Sequence, residues 1–303
     1  MDPNNVNKIF VAGTKWTGTK NVIVLQKTTN GGTNWTSCDV TTKNSYAYSL
    51  VIDPNNSEKI YVGGYLDEGG RKGVLFKSTN GGSSWTELGT NDFGNYQYII
   101  AVTIDSTSSN TLYAGCYNGL YKSLNGGLDW TKISDRAAYC IKIHPKSSKK
   151  IFFGSSDGVY YSPDAGNTWG LIQAGLNITN IGCLEFDSKA KYLFAGTRGG
   201  SVARYLTKKM KAPKKPKKLK AKALANREIK LTWKDTATNE EGFKIERCQG
   251  TSGDWSEIGK TGPNEKSYTD KVYSSNTLFQ YRIRSYNAFG ESGYSNLAKV
   301  KSK

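Results

Sequence analysis

The stretch KSTNGGSSW, residues 77–85, decides the fold, because closely similar phrases occur four times within the first 170 residues. Each copy fits the pattern Ser/Thr-x-Asn/Asp-x-Gly-x-x-Trp, where x is any residue. We call each copy a tryptophan turn, and its defining residues in the four copies are Asn30, Gly32 and Trp35; Asn80, Gly82 and Trp85; Asn125, Gly127 and Trp130; and Asp164, Gly166 and Trp169. Self-similarity at this spacing indicates one supersecondary unit that is used several times.

The sequence around each tryptophan turn repeats with it. In every unit one turn-forming residue separates two short apolar runs. In the first unit, Met1 is all that remains of the first of these runs. The turn-forming residues are Asp2, Asp53, Asp105, His144 and Asp187. Their spacings are 51, 52, 39 and 43 residues, so five units are visible, and the first four carry a tryptophan turn. Because His144 stands where the other units have aspartate, it is interpreted as a turn variant and not as a ligand.

Each unit predicts four short β-strands. Runs rich in Val, Ile, Tyr, Phe and Thr alternate with Asn, Gly, Asp and Ser clusters, and no window holds a long helical stripe. In the second unit we place strands A to D at 49–52, 60–64, 73–77 and 85–88. The tryptophan turn then joins strands C and D: Asn or Asp bonds backbone amides, and the glycine adopts a positive φ. Four-stranded meanders repeated at this period are typical of β-propeller blades.

The tryptophan turn resembles the Asp-box, or bacterial neuraminidase repeat, of sialidase, xyloglucanase-type, sortilin-type and photosystem-assembly propellers. The resemblance implies an all-β fold in which residues 1–206 form a β-propeller of about five recognisable four-stranded blades. It also implies that the box lies on the face opposite the ligand site. The first unit lacks most of strand A and the fifth stops after strand C, which leaves 18 strands. Either five blades close with two incomplete, or the chain is an arc of a larger propeller; we favour an arc truncated at the N-terminus.

A lysine-rich segment separates this region from a second domain. Nine lysines lie between Lys208 and Lys222, interrupted by Pro213 and Pro216. Such a segment repels itself, so residues 207–215 are predicted to form an extended linker. Residues 207–303 carry a net charge of +12, out of +17 for the whole chain. This charge fits an anionic surface polymer bound through Lys208–Lys222. It does not indicate specific nucleic-acid binding, which needs a basic face that also carries aromatic residues, or a known nucleic-acid-binding motif.

Residues 216–303 resemble a fibronectin type III domain, an immunoglobulin-like sandwich that bacterial secreted enzymes often carry as an appendage. The alternating apolar residues at 229, 231 and 233 and at 279, 281 and 283 give the inward faces of two facing strands. The tyrosine-corner position of the family falls on Phe279, so its hydroxyl bond to the preceding loop should be missing. The resemblance implies a spacer role.

The candidate ligand face carries the longer predicted connections, B to C and D to A. These connections are 14–21, 39–47, 66–72 and 89–98. Loops on a rigid scaffold concentrate binding residues. The aromatic and charged residues on or beside them are Trp16, Tyr46, Asp67, Glu68, Arg71, Asp92, Phe93, Tyr96, Tyr98, Arg136 and Tyr139. Aromatic rings beside polar groups suit sugar rings, although loop aromatics also fill gaps between blades.

No catalytic residue, cofactor or metal site is predicted. No pair of the five cysteines has zinc spacing, and the equivalent strand positions of Cys140 and Cys183 lie too far apart for a disulfide. The sequence does not predict sialidase activity, because the first 206 residues hold only four arginines and no Arg-Ile-Pro phrase. Lys142 and Glu185, at one strand-A position of adjacent units, predict a structural ion pair.

The sequence therefore favours a non-catalytic binding or assembly module, extracellular or at a bacterial cell surface, whose ligand is a glycan or a protein. No run of 18 apolar residues predicts a transmembrane segment, and no export signal lies in this chain. One alternative is a fragment of a polysaccharide-degrading glycoside hydrolase, with carboxylates drawn from Asp67, Glu68 or Asp92. The other is a self-associating subunit of a surface filament or layer that pairs open blade edges.

Overall fold

The computed structural model describes residues 1–88, 93, 97–172, 179–200, 202–207, 211–287 and 289–303. The described residues contain strands and turns and no α-helix. They form two compact units, Met1–Tyr205 and Leu206–Lys303, and each unit is described by itself.

The first unit consists of five antiparallel sheets, numbered in chain order, and every sheet is a simple meander. Sheet 1 contains β1 (Ile9–Trp16), β2 (Asn21–Thr28) and β3 (Thr36–Asp39). Sheet 2 contains β4 (Ser45–Asp53), β5 (Asn56–Asp67), β6 (Arg71–Ser78) and β7 (Thr86–Leu88). Sheet 3 contains β8 (Ala101–Asp105), β9 (Ser108–Cys116), β10 (Gly119–Ser123) and β11 (Thr131–Ser134). Sheet 4 contains β12 (Cys140–His144), β13 (Ser147–Ser155), β14 (Gly158–Ser162) and β15 (Gly170–Ile172). Sheet 5 contains β16 (Ile181–Phe186), β17 (Tyr192–Thr197) and β18 (Val202–Leu206).

Successive sheets pack face to face through their first strands. Strand β1 contacts β4, β4 contacts β8, β8 contacts β12 and β12 contacts β16. In sheets 2 to 4 the second strand is buried on both faces, because each face meets a neighbouring sheet. Tyr61 lies in a core with sheet 3, and the next residue, Val62, lies in a core with sheet 1. The predicted ion pair is confirmed between β12 and β16, with Lys142 Nζ 2.7 Å from Glu185 Oε2.

The tryptophan turns are closed by one repeated set of hydrogen bonds. In the second copy the Gly82 amide donates to Ser78 Oγ at 2.8 Å, Ser78 Oγ donates to Asn80 Oδ1 at 3.0 Å, and the Ser84 amide donates to Asn80 Oδ1 at 2.9 Å. The other three copies make the same three bonds. The turn therefore needs a hydroxyl, then Asn or Asp, then glycine at the spacing that the sequence repeats.

Each tryptophan turn after the first rests on the preceding sheet. A Cβ on Gly82, whose φ is +80°, would overlap the Leu25 side chain of sheet 1. A Cβ on Gly166 would lie 2.7 Å from Ile133 Cδ1 of sheet 3. The first turn differs, since a Cβ on Gly32 would meet only its own Trp35, at 3.8 Å.

The outer face of sheet 1 is not covered by another sheet of the described chain. Val11, the third residue of the second apolar run, is 49% exposed. The equivalent residues of sheets 2 to 5 are fully buried; they are Val62, Ala114, Phe153 and Ala195. This exposure agrees with a series of sheets in which each member covers the face of the next one.

In sheets 2 to 5 the repeated aspartate or histidine lies at the turn between the first two strands, whereas Asp2 of the first unit precedes β1. Asp53 Oδ1 accepts the amide of Asn55 at 2.9 Å, and Asp105 Oδ1 accepts the amide of Thr107 at 2.8 Å. In sheet 4, His144 Nδ1 accepts the amide of Lys146 at 3.1 Å. The prediction that His144 is a turn variant is therefore confirmed, since its imidazole nitrogen replaces a carboxylate oxygen.

The strands of the first sheets extend further than the sequence predicted. Predicted strand A of the second unit began at 49, whereas β4 begins at Ser45. Strand β5 ends at Asp67 and not at 64, and β6 begins at Arg71 and not at 73. The connections predicted at 14–21 and 66–72 therefore shrink to 17–20 and 68–70. Cross-strand pairing of polar residues such as Asp67 with Arg71 extends these hairpins beyond their apolar centres. Trp85 was placed at the start of strand D, but the observed strand starts at Thr86.

The second unit is a sandwich of two antiparallel sheets. The three-stranded sheet pairs β19 (Lys217–Ala223), β20 (Glu228–Lys234) and β23 (Ser267–Lys271). The five-stranded sheet contains β21 (Gly242–Gln249), β22 (Ser256–Thr261), β24 (Leu278–Asn287), β25 (Gly290–Glu291) and β26 (Ala298–Lys301). Inward residues of both sheets form one core, in which Leu231 and Trp233 meet Phe243 and Ile283.

A buried carboxylate stabilises this sandwich. Asp270, 5% exposed, accepts two bonds from Arg247 Nη1, at 2.9 and 3.0 Å, and one from the Tyr281 hydroxyl at 2.7 Å. Phe279 is buried and has no hydroxyl, and Tyr281 two residues later binds a side chain and not the backbone of a preceding loop. The described part of the predicted linker is docked on this unit, because Ser285 Oγ donates to the Lys214 carbonyl at 2.8 Å.

We expect Gly82→Ala to destabilise the first unit more than Gly32→Ala. Both substitutions place a Cβ at a positive φ, which costs about 1–2 kcal/mol. Only Gly82→Ala also forces Leu25 to move, which adds about 1–3 kcal/mol. Urea unfolding of the two variants measures the difference, and equal losses would show that the turns do not rest on preceding sheets.

We expect His144→Asp to reduce the acid sensitivity of folding. Burial and the nearby Lys150 and Lys146 lower the pKa of His144 below its usual 6.5. The unfolded chain therefore binds a proton more readily than the folded protein, and stability is lost as pH falls from about 6.5 through the folded pKa. Unfolding measured from pH 7.5 to 5 should show a smaller loss for His144→Asp than for wild type; parallel curves would exclude this role.

Candidate functional site

A continuous row of tyrosines crosses one end of sheets 2, 3 and 4, and we call it the tyrosine stripe. Its members are Tyr46, Tyr48, Tyr65, Tyr98, Tyr117 and Tyr139. Three of these residues lie on β4 and β5, and the others lie just before β8, just before β12 and in the turn between β9 and β10. The rings therefore come from the B-to-C and D-to-A ends of their sheets, which is the face predicted for ligands.

The stripe is linked by ring contacts at stacking distances. The Tyr46 and Tyr65 rings are parallel within 9° with centroids 4.7 Å apart, and Tyr65 lies 4.4 Å from Tyr98. The row continues from Tyr98 to Tyr117 at 5.7 Å and from Tyr117 to Tyr139 at 6.1 Å. These separations are in the range of favourable aromatic pairs. The stripe thus joins side chains from three sheets into one surface.

Glycines at the sheet ends allow the backbone approach that positions these rings. A Cβ on Gly64 would overlap the carbonyl oxygen of Tyr46, and a Cβ on Gly115 would overlap the carbonyl oxygen of Ala138. At Gly64 the close contact is with the neighbouring strand β4 of the same sheet, and at Gly115 of sheet 3 it is with the chain that leads into sheet 4. These close contacts place Tyr46 and Tyr139 beside the ends of sheets 2 and 4.

Two arginines contact the stripe from its sides. Arg71 Nη1 donates to the Tyr98 hydroxyl at 2.8 Å, and its guanidinium lies 5.8 Å from the Tyr65 ring centroid. The Arg198 guanidinium of sheet 5 lies 5.3 Å from the Tyr139 centroid. Both arginines are exposed, so they offer N–H groups to a molecule lying along the rings.

The stripe has exposed and buried members. Tyr48 and Tyr117 are 52% and 51% exposed, so their rings are accessible to a ligand. Tyr65 is 6% exposed and supports its neighbours from below; its burial raises its pKa to about 12. The arrangement can stack apolar ring faces and exchange hydrogen bonds with hydroxyl groups, through the phenols and the arginine side chains.

The residues predicted for the site are only partly brought together. Tyr46, Arg71, Tyr98 and Tyr139 belong to the stripe or contact it, and Asp67 lies half-buried at the end of β5. Phe93 does not face a ligand, because it is 1% exposed and packs 5.2 Å from Trp130 and 4.6 Å from Tyr121. It fills a gap between sheets 2 and 3, which is the second kind of role that the sequence allowed for loop aromatics.

The remaining predicted residues are not members of the stripe. Trp16 is 61% exposed at the end of β1, and Glu68 is exposed in the hairpin that follows β5. Arg136 Nη1 lies 3.7 Å from Asp157 Oδ2. Asp92 and Tyr96 lie outside the described residues.

Sequence reasoning missed four members of the site: Tyr48, Tyr65, Tyr117 and Arg198. A signal for Tyr48 was available, since it follows Tyr46 by two residues, and alternate residues of one strand share a face. Tyr65 and Tyr117 follow the second apolar runs of their units. They would have been found by treating these runs as strands that end at the ligand face.

Metal-ligating side chains are not clustered in the described part of the chain, where no group of three or more His, Cys, Asp or Glu side chains could hold a metal ion. Among the same residues, no helix has the length and apolar character to cross a bilayer. All five cysteines are free thiols. Burial raises the pKa of the Cys140 thiol to about 12, which keeps it protonated and unreactive.

Comparison with known proteins gives structural likeness only. No family model matches the sequence, and no curated protein matches it. A GH74 enzyme from Niastella koreensis is 16% identical with a TM-score of 0.51, over 98% of this chain and 46% of that enzyme. An ancestral GH74 enzyme is 17% identical with a TM-score of 0.45, over 99% of this chain and 37% of that one. An Fn3-like protein from Clostridium thermocellum is 22% identical with a TM-score of 0.27, over 30% of this chain and 95% of that protein.

The chain spans less than half of the length of either GH74 enzyme. The likeness to the Niastella koreensis enzyme concerns the fold, and it extends over nearly the whole chain. It agrees with an all-β chain of small antiparallel sheets.

We expect Tyr65→Phe to weaken the alkaline loss of stability. Below pH 10 the Tyr65 phenol is neutral in both states, but between pH 10 and the folded pKa of about 12 only the unfolded chain ionises. Folding then loses about 1 kcal/mol per pH unit from this residue. Urea unfolding at pH 9, 10 and 11 should show a shallower decline for the variant, whose ring still stacks. Superimposable declines would mean that Tyr65 is not buried.

Proposed function

We propose that the first unit is an arc of an Asp-box β-propeller that binds a polysaccharide along the tyrosine stripe without cleaving it. The single observation that carries this proposal is the continuity of the stripe across three sheets, with two rings about half exposed. The consecutive packing of the sheets and the likeness in fold to a GH74 enzyme support the propeller assignment.

The stripe suits a sugar chain for physical reasons. Sugar rings have apolar faces that pack on aromatic rings, and their hydroxyl groups take hydrogen bonds at the edges. Tyr48 and Tyr117 offer ring faces, and Arg71 and Arg198 offer N–H donors beside the rings. A row of contacts suits an elongated ligand better than a compact one. Polysaccharide is therefore favoured over a protein partner, and a polysaccharide ligand is compatible with a function outside the cell or at its surface.

A glycoside hydrolase fragment is the second candidate, and the GH74 likeness in fold is compatible with it. Hydrolysis needs two carboxyl groups that flank the scissile bond. Asp67 and Glu68 are adjacent in one hairpin, beside one end of the stripe, so they do not flank a chain that lies along it.

The second unit is proposed to be a fibronectin type III spacer, because its two-sheet core follows the predicted inward residues.

We expect the double variant Tyr48→Ala/Tyr117→Ala to lose about tenfold or more in affinity for a soluble β-glucan such as xyloglucan. Each stacked ring contributes about 0.5–1.5 kcal/mol, so two rings supply this factor. Affinity electrophoresis in gels that contain the polysaccharide measures the loss. Tyr273→Ala, which removes a 91% exposed tyrosine of the second unit, is the matched control and should bind like wild type.

The wild-type protein should release no reducing ends from the polysaccharide over many hours. Release that Asp67→Asn abolishes would favour the hydrolase and contradict a binding module. If the polysaccharide retards the Tyr48→Ala/Tyr117→Ala variant in the gel as strongly as it retards wild type, the tyrosine stripe is not the binding site.

A further inference from the structure

The three-stranded sheet of the second unit presents a lysine-covered outer face, which we call the lysine face. Its inward residues alternate with outward ones, and Ile229, Leu231 and Trp233 point into the core. The outward positions of β19, β20 and β23 hold Lys220, Lys222, Glu228, Lys230, Thr232, Lys234, Ser267, Thr269 and Lys271. Five of these nine residues are lysines and one is acidic.

The strand register places like charges directly opposite each other. Lys222 pairs with Lys230 on this face, and at the end of β19, beyond a register shift, Lys217 pairs with Lys234. Lysines directly opposite on neighbouring strands repel, which costs stability. Glu228, the acidic residue of this face, is 3.8 Å from Lys271 and does not compensate them. Among the described residues no salt bridge engages Lys220, Lys222 or Lys230, although all three are exposed.

We propose that the lysine face binds an acidic polysaccharide, independently of the tyrosine stripe. Neighbouring strands lie about 5 Å apart and outward residues of one strand about 7 Å apart, so the ammonium groups form a flat lattice of closely spaced charges. A polymer with a carboxylate on successive sugars can neutralise several of them at once. The repulsion between Lys222 and Lys230 is then relieved in the complex.

The composition of the face selects this partner among polyanions. The outward positions carry Thr232, Ser267 and Thr269, whose hydroxyl groups can bond sugar hydroxyls. They carry no aromatic ring on which a base could stack, which single-stranded nucleic-acid binding generally uses. They also carry no apolar side chain that could enter a lipid surface. Charge complementarity and hydroxyl groups therefore favour an acidic sugar polymer.

The test uses the full chain and immobilised polygalacturonate, a carboxylate sugar polymer. The variant Lys222→Gln/Lys230→Gln/Lys234→Gln should bind at least tenfold more weakly at low salt. The control variant Lys146→Gln/Lys149→Gln/Lys189→Gln removes the same charge from the first unit and should stay within twofold of wild type. Equal losses in both variants would show a net-charge effect and overturn the proposal. Binding should also fall steeply from 50 to 500 mM NaCl, because salt screens exposed charges.

Two further variants test the lysine repulsion and the independence of the lysine face from the tyrosine stripe. The single variant Lys230→Thr should bind more weakly while its Tm rises, since it removes the pair of opposed lysines; a lowered Tm would contradict that repulsion. The Tyr48→Ala/Tyr117→Ala protein should keep its affinity for polygalacturonate, and a parallel loss would assign the binding to the stripe. Tighter binding to duplex DNA or to phosphatidylglycerol vesicles than to polygalacturonate would overturn the choice of partner.

Discussion

The first unit depends on the contact between each tryptophan turn after the first and the sheet before it. A hydroxyl accepts the glycine amide, an Asn or Asp oxygen accepts a second amide, and the glycine takes a positive φ. The missing Cβ then leaves room for an apolar side chain of the preceding sheet, as at Gly82 over Leu25 and Gly166 over Ile133. Because three of the four turns make this contact, sheets 2 to 4 are each oriented on the preceding sheet in the same way. Repetition of one local constraint thus produces the long-range order.

That order explains why tyrosines distant in sequence lie in one row. Ring contacts join Tyr46 of sheet 2 to Tyr139 of sheet 4, and they depend on equivalent sheet ends lying side by side. The tryptophan turns and the stripe lie at opposite ends of the strands. Residues that determine the fold are therefore separated from those available to a ligand, and loop residues can vary without loss of the sheets.

Most of the fold could be predicted, because it follows from local patterns: turn chemistry, alternating apolar residues, and the equivalence of His144 with Asp53. The ion pair of Lys142 with Glu185 also followed from that equivalence. The site was less predictable. Phe93 and Tyr117 are both aromatic residues near sheet ends, yet one is buried against Trp130 and the other is half exposed. Only packing between sheets decides this difference, and composition does not record it. The lysine face likewise depended on strand register.

The most direct measurement is a crystal structure of the chain with a β-glucan oligosaccharide. We predict sugar rings stacked on Tyr48 and Tyr117, along a row of tyrosines drawn from three consecutive sheets, with Arg71 bonded to the sugar or to Tyr98. An oligosaccharide bound elsewhere, or tyrosines that do not line up because the sheets are not stacked in series, would contradict both the fold assignment and the proposed role.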